Sequence, residues 1–301
     1  MFRLLSKESN IFSVPAYIGV LFLIFLSLNL LDFKNITLFS TIITFTGISL
    51  GYFLFNAIAL NQFSHLPLFL YTVFVVAFYD GTIDLGLGIT FLMSSILLLI
   101  LTSQNDQLRK SSFMLVGAIL AFTFLVFPAS WPMAVFVIFH IIGTSGRVGL
   151  NMFRLLFGAI LIVLSYFGLM YLIHFTTWDS SYFPFSNSFE MLKSYYPLYI
   201  LIPIALMIIF SLSDHFKHYN EKSPISRYKY TFILVFSLAQ LITIIFYMGN
   251  NYEYLLLLAL PVSIIISRML RFLPKYWMQE LGLWIVVFCL AAFKIVNFAQ
   301  Y

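Results

Sequence analysis

Four aspartates, Asp32, Asp80, Asp84 and Asp179, stand beside the ends of long apolar runs and are the acidic side chains best placed for chemistry. A carboxylate in such a position can accept a proton from an attacking hydroxyl group or can bind a metal ion. Asp80 and Asp84 flank a short segment that contains Gly81, which permits a tight turn. The two carboxylates could equally cap and solvate that turn, so a catalytic and a structural role stay open.

Cations that could hold an anion, such as a lipid phosphate, are the second requirement of such chemistry. The candidates are Lys34, Lys193, Lys294, Arg147 and Arg154. The segment from Gly143 to Arg147 could present backbone amides and a guanidinium to a phosphate, but it lacks the spacing of a phosphate-binding loop. Lys294, near the end of the last apolar run, could also extend to the headgroup region without a functional role.

No motif for metal or cofactor chemistry stands out in the sequence. The chain has no zinc-ligand spacing, no catalytic-triad order and no dinucleotide fingerprint. His215 and His218 have helical spacing, but no further ligand set accompanies them. We therefore predict no metal site and no cofactor. The single cysteine, Cys289, excludes an intramolecular disulfide.

Composition identifies the elements that must position these side chains. Of the 301 residues, 62% are apolar and 9% are charged, and the mean hydropathy is +1.00. Soluble proteins carry roughly 25% charged residues, whereas apolar runs of about 20 residues match a hydrocarbon layer about 30 Å thick. Backbone groups in that layer must bond within their own segment, so the runs predict helices. We predict an all-α polytopic helical transmembrane protein with one integral membrane domain, residues 1–301.

The apolar runs predict eleven spans, within a range of ten to twelve. They cover about 14–31, 37–59, 66–79, 84–103, 112–127, 131–143, 152–174, 197–213, 230–248, 254–267 and 281–298. The runs 66–79, 112–127, 131–143 and 254–267 are near or below the length of an untilted crossing. Tilting, re-entrant geometry or shielding by neighbouring helices would accommodate them.

Basic residues alternate between the connecting segments and predict the orientation. With the N-terminus in the cytoplasm, thirteen of the sixteen Lys and Arg residues fall on the cytoplasmic side and three on the outer side. Basic loops near span ends resist translocation, so this partition indicates a multi-pass protein of the bacterial inner membrane. The net charge of +5 then faces anionic lipid headgroups, and we predict no nucleic-acid binding.

The longest outward segment, about 175–196, is rich in aromatic residues, which prefer the headgroup level. Asn187 and Glu190 have capping-box spacing, and apolar neighbours could form the buried side of one short interfacial helix on the outer face. The segment is either a structural belt on the membrane surface or a lid over a lipid or sugar site.

Three short segments carry a resemblance to known families. They are Met1 to Lys7, Asn56 to Pro67 and Gln107 to Lys110, and on them the chain resembles an uncharacterised family of polytopic inner-membrane proteins of Bacteroidota. The order of short middle spans resembles the GT-C superfamily of membrane glycosyltransferases. That resemblance implies sugar transfer from a polyprenyl-phosphate carrier with an outward carboxylate. The first outward segment, 32–36, is shorter than the one that holds the acidic motif in that superfamily.

Three functions remain open at the level of sequence. The first is a non-enzymatic subunit or scaffold of a cell-envelope assembly or export system, which the scarcity of outward cations favours. The second is a GT-C-like glycosyltransferase with Asp32, Asp80 or Asp84 as its carboxylate. The third is a lipid or solute transporter. The expected partners are membrane lipids and other membrane or envelope proteins.

Overall fold

A computed structural model describes residues 1–10, 12–29, 35–58, 64–81, 83–102, 112–173, 196–219 and 223–298. These residues fold almost entirely into helices, and within them the only β-type pairing is an isolated bridge between Glu8 and Ser64. The predicted class, an all-α helical membrane protein, is confirmed.

Twelve α-helices lie within the described ranges. They are α1 (Phe2–Leu5), α2 (Ser13–Asn29), α3 (Asn35–Ile58), α4 (His65–Phe78), α5 (Leu85–Thr102), α6 (Phe113–Val126), α7 (Trp131–Thr144), α8 (Val148–Leu172), α9 (Ile202–Lys217), α10 (Pro224–Tyr247), α11 (Leu256–Phe272) and α12 (Tyr276–Phe298). Short 3-10 turns precede α7, α9 and α11, at Pro128–Ser130, Leu198–Leu201 and Tyr252–Leu255.

The helices α2 to α12 fall on the eleven apolar runs of the sequence. Seven of them, with their adjoining turns, are long and apolar enough to cross a membrane, and α2, α4, α6 and α7 are shorter. Two predicted connections are shorter than expected. Helix α10 begins at Pro224 rather than near 230, so Arg227 and Lys229 belong to a helix. The span expected to end at 267 continues to Phe272, and the next helix begins at Tyr276 rather than near 281. Arg268, Arg271 and Glu280 therefore belong to helices and not to a loop.

Helix α11 forms the centre of the bundle. It packs against α4, α9, α10 and α12, and Ala259, Ile265 and Ile266 on it are fully buried. Its neighbour α4 is also largely enclosed, with Leu70 and Val75 at 0% exposure. The enclosed position of α11 places the side chain of Arg268 inside the protein, whereas Arg271, near the end of the helix, is only half-buried.

Two glycines allow α6 and α8 to pack with their backbones in contact. A Cβ atom at Gly117 of α6 would lie 1.9 Å from the carbonyl oxygen of Leu155, and one at Gly158 of α8 would lie 1.9 Å from that of Met114. Small residues are enriched at such crossings because no hydrophobic driving force operates between helices in lipid. The remaining surface of α8 is mostly exposed, as expected for a lipid-facing helix.

The N-terminal helix α1 is fixed to α12. The Met1 amine and the Phe2 backbone N–H each lie 2.8 Å from a Glu280 carboxylate oxygen, and the Tyr276 hydroxyl donates to the same carboxylate at 3.1 Å. The Phe2 ring is buried in an edge-to-face contact with Tyr276. Phe2 therefore packs into the protein.

Candidate functional site

The structure places five of the nine candidate residues and leaves four outside the described ranges. Asp32, Asp179, Lys34 and Lys193 belong to the second group, as does the predicted interfacial helix around 187–192. Arg147 is exposed in the connection between α7 and α8, and Arg154 is half-buried on α8. The other three, Asp80, Asp84 and Lys294, lie at one end of the bundle, which the basic-residue pattern predicts to be the outer end.

Asp80 is held by two side chains of α12. The Lys294 ammonium forms an ion pair with Oδ1 of Asp80 and donates to the carbonyl oxygen of Tyr79. The Asn297 amide donates to Oδ2 of Asp80 at 2.8 Å. Positions 294 and 297 are three apart, so both side chains project from the same face of the helix. The last helix therefore closes onto the turn that follows α4.

Glu253 lies against this pair in the 3-10 turn before α11. The side chain is only 5% exposed, and its Oε1 has no hydrogen-bond partner among the described residues. The carboxylate lies against the backbone N–H of Asp80, and the described charges that act on it are those of Asp80, Asp84 and Lys294. The Asn251 side chain positions the turn by accepting from the Glu253 N–H at 3.0 Å.

Tyr79 shapes the turn that presents Asp80. Its ring stacks on Phe25 of α2 at a centroid distance of 4.0 Å. Its hydroxyl accepts a hydrogen bond from the Asn29 amide at 2.9 Å and donates one to the Gly81 carbonyl at 3.2 Å. Burial raises the pKa of the Tyr79 hydroxyl, so this hydroxyl remains a neutral donor and acceptor. Gly81 has φ of 103°, a backbone conformation that favours glycine.

We refer to Asp80, Asp84, Glu253, Lys294 and Asn297 as the outer acidic cluster, after the end of the bundle that the basic-residue pattern predicts to face outward. Its charges are unbalanced, because one ammonium faces three carboxylates and is already paired with Asp80. Such a site attracts a proton or a cationic group and repels a phosphate. Among the described residues, no group of three or more His, Cys, Asp or Glu side chains has the geometry to hold a metal ion.

The comparison with protein families covers the full chain. A family model with the description "Family of unknown function (DUF6427)" matches residues 1–301. The chain belongs to this family. No curated protein and no solved structure matches it. The outer acidic cluster is therefore the feature of this DUF6427 protein that indicates a function.

The sequence predicts Asp80, Asp84 and Lys294 as candidate site residues, but not Glu253 or Asn297. A signal for Glu253 was present, because it is the only acidic residue between Glu221 and Glu280 and it directly precedes an apolar run. Asn297 could have been found from its spacing of three residues from Lys294. No feature of the sequence indicates that α12 contacts the turn after α4, which lies more than 200 residues earlier.

Proposed function

We propose that the protein is a non-enzymatic component of a cell-envelope export system in the bacterial inner membrane, and that it moves a solute or lipid with proton exchange at Glu253. One observation carries the proposal. Glu253 is a buried carboxylate with an unpartnered oxygen, next to an Asp80–Lys294 pair that is already neutral. Ionisable side chains inside membrane proteins are the usual components of proton relays and ion pathways.

The position of Glu253 supports coupling to a movement of helices. The cluster joins the turn after α4, the turn before α11 and the helix α12, so one proton on Glu253 changes the charge at the junction of three elements. Protonation removes a negative charge next to Asp80 and leaves two carboxylates, Asp80 and Asp84, with one ammonium. Deprotonation restores the repulsion and favours separation of these elements.

The GT-C-like alternative has one observation in its favour. Asp84 is exposed at the same end of the bundle, where an acceptor hydroxyl could reach it. A transferase of this kind also needs a cation for the lipid phosphate, and Lys294 is engaged by Asp80. The charge of the cluster therefore supports proton exchange better than binding of a phosphate-linked sugar.

A carboxyl titration in a lipid environment tests the proton step. The protein is reconstituted in lipid nanodiscs, and its protonated carboxyl band is followed by infrared spectroscopy as the pH is raised. We expect a band that titrates in the wild type, is absent in Glu253→Gln, and is retained in Asp214→Asn, which alters a half-exposed acid at the opposite end. A band that persists in Glu253→Gln contradicts the proposal.

A deletion strain tests the role in export. Export of surface lipids and polysaccharides is compared after complementation with wild type, Glu253→Gln or Asp214→Asn at matched protein levels. We expect Asp214→Asn to restore export and Glu253→Gln to fail. Full restoration of export by Glu253→Gln would contradict the proposed proton exchange at this residue. If the deletion strain exports surface lipids and polysaccharides normally, the proposed role in export is contradicted.

A further inference from the structure

A second buried charge lies near the opposite end of α11. Arg268 is 6% exposed, although arginine rarely lies so far inside a protein without a charged partner. One terminal nitrogen, Nη2, donates to Ser226 Oγ at 3.2 Å. The guanidinium lies over the Tyr230 ring at 4.4 Å and near the Phe272 ring at 5.7 Å. Two aromatic rings therefore lie beside the guanidinium.

The other terminal nitrogen of Arg268 is unsatisfied. Nη1 is fully buried and has no hydrogen-bond partner within the described ranges. The described carboxylate that acts electrostatically on Arg268 is Asp214, which is partly exposed and bonded to His218 at 3.0 Å. A guanidinium stays charged in proteins, and a buried charge without a partner is strongly destabilising. An anion bound at Nη1 would balance this buried charge.

We propose that Arg268 binds a phosphate group at the end of the bundle that the sequence predicts to be cytoplasmic. The phosphate belongs either to a lipid headgroup or to free phosphate. The planar fork of a guanidinium matches phosphate oxygens, and the aromatic contacts pre-organise it for this contact. Arg227 follows the Ser226 that bonds Arg268; its guanidinium lies over the Tyr219 ring at 5.3 Å, and its buried Nε lacks a partner among the described residues.

The position of the site favours phosphate over other anions. Lys229 and Arg271 lie at the same end of α10 and α11, so basic residues surround the site. Anionic lipids attract basic residues at the cytoplasmic ends of membrane spans, which is where the sequence predicts this end of α11 to lie. The site is independent of the outer acidic cluster, because about fifteen residues of α11 and its preceding turn separate Arg268 from Glu253, roughly 22 Å at helical rise.

Thermal unfolding of the purified full chain in detergent tests the site with three probes. These are phosphatidylglycerol, a diacylglycerol with the same acyl chains but no phosphate, and inorganic phosphate. We expect phosphatidylglycerol, but not diacylglycerol, to raise the unfolding temperature of the wild type and of Lys275→Met, which removes an exposed charge nearby. Arg268→Met should need at least about tenfold more phosphatidylglycerol for half of the effect.

The inorganic phosphate probe distinguishes the two sources. An equal, Arg268-dependent effect of inorganic phosphate assigns the site to free phosphate, and an effect of phosphatidylglycerol alone assigns it to lipid. If Arg268→Met does not fold, Arg268→Lys keeps the charge without the fork and should still weaken the response to the ligand. An equal response in wild type and Arg268→Lys then overturns the proposal.

Besides Asp214, a further carboxylate of the chain to test is Glu221, which lies outside the described residues. The Glu221→Gln variant is therefore measured in the same thermal unfolding experiment as the Arg268 variants. We expect it to respond to phosphatidylglycerol as the wild type does. If Glu221→Gln loses as much stability as Arg268→Met and phosphatidylglycerol affects neither, the partner of Arg268 is a carboxylate of the chain and the proposal is overturned.

Discussion

Lys294 on the last helix forms an ion pair with Asp80, which lies 214 positions earlier in the turn after α4. The Lys294 side chain is 14% exposed and that of Asp80 is 21% exposed, so water screens the pair only in part. The pair therefore joins α12 to the turn after α4 and, with the neighbouring Glu253, sets the charge of the outer acidic cluster.

Removal of the lysine charge should destabilise the protein. Lys294→Met leaves Asp80 without its cation, and we expect a loss of about 2 kcal/mol in the free energy of unfolding, between the values typical of exposed and buried pairs. Thermal unfolding in detergent measures the change. The matched control is Lys275→Met, which removes an exposed lysine and should have little effect.

A double variant separates the ion pair from other contacts of Lys294. Asp80→Asn with Lys294→Met removes both charges, so it should regain much of the stability that Lys294→Met loses. If the two substitutions add without coupling, Asp80 and Lys294 do not stabilise the fold as a pair.

The sequence predicted the helices well because apolar length is a local property. Each of the eleven apolar runs became a helix, including the four short ones. The outer acidic cluster was predicted only in parts, since Asp80 and Lys294 look like unrelated interfacial residues until the tertiary fold pairs them. The predicted span of about 254–267 leaves Arg268 just outside the membrane segment. The structure instead continues the helix for one more turn, since its neighbours enclose the charge.

Close packing of α6 on α8 gives a second prediction. Gly158→Val introduces atoms where a Cβ alone would lie 1.9 Å from the Met114 carbonyl oxygen, so the two backbones must separate. We expect a loss of about 1 to 3 kcal/mol or failure to fold. Gly168→Val on the same helix is the control, because nothing lies within 4 Å of a Cβ there. Yield of monodisperse protein and thermal unfolding measure both variants. Similar behaviour of the two would contradict the close crossing.

The hydroxyl of Tyr79 gives a third prediction. Tyr79→Phe keeps the stacking on Phe25 but removes the hydrogen bonds with Asn29 and Gly81. We expect a loss of about 1 kcal/mol, the usual value for a buried hydrogen bond that is left unmade. Tyr171→Phe, at a 70% exposed position on α8, should leave the unfolding temperature unchanged. Equal stability of wild type and Tyr79→Phe would show that the hydroxyl does not hold the turn.

The orientation of the bundle gives the fourth prediction. The outer acidic cluster and the Arg268 site lie toward opposite ends of the bundle, but the membrane face to which each belongs is assigned only by the distribution of basic residues. In a Cys289→Ala background, single cysteines replace the exposed residues Asp84 and Lys275, which flank the two ends of the bundle. A membrane-impermeant maleimide applied to cells with a permeabilised outer membrane should label the cysteine at position 84 and not the one at 275.

Lysis is the control for this labelling experiment, because it exposes both faces and should allow both cysteines to react. Labelling of position 275 alone in unlysed cells would invert the orientation. Glu253 would then exchange protons with the cytoplasm, and Arg268 would face the outer leaflet. The geometry of both sites would be unchanged, but the direction of proton movement and the leaflet that supplies the phosphate would be reversed. The labelling pattern therefore decides from which side each site is filled.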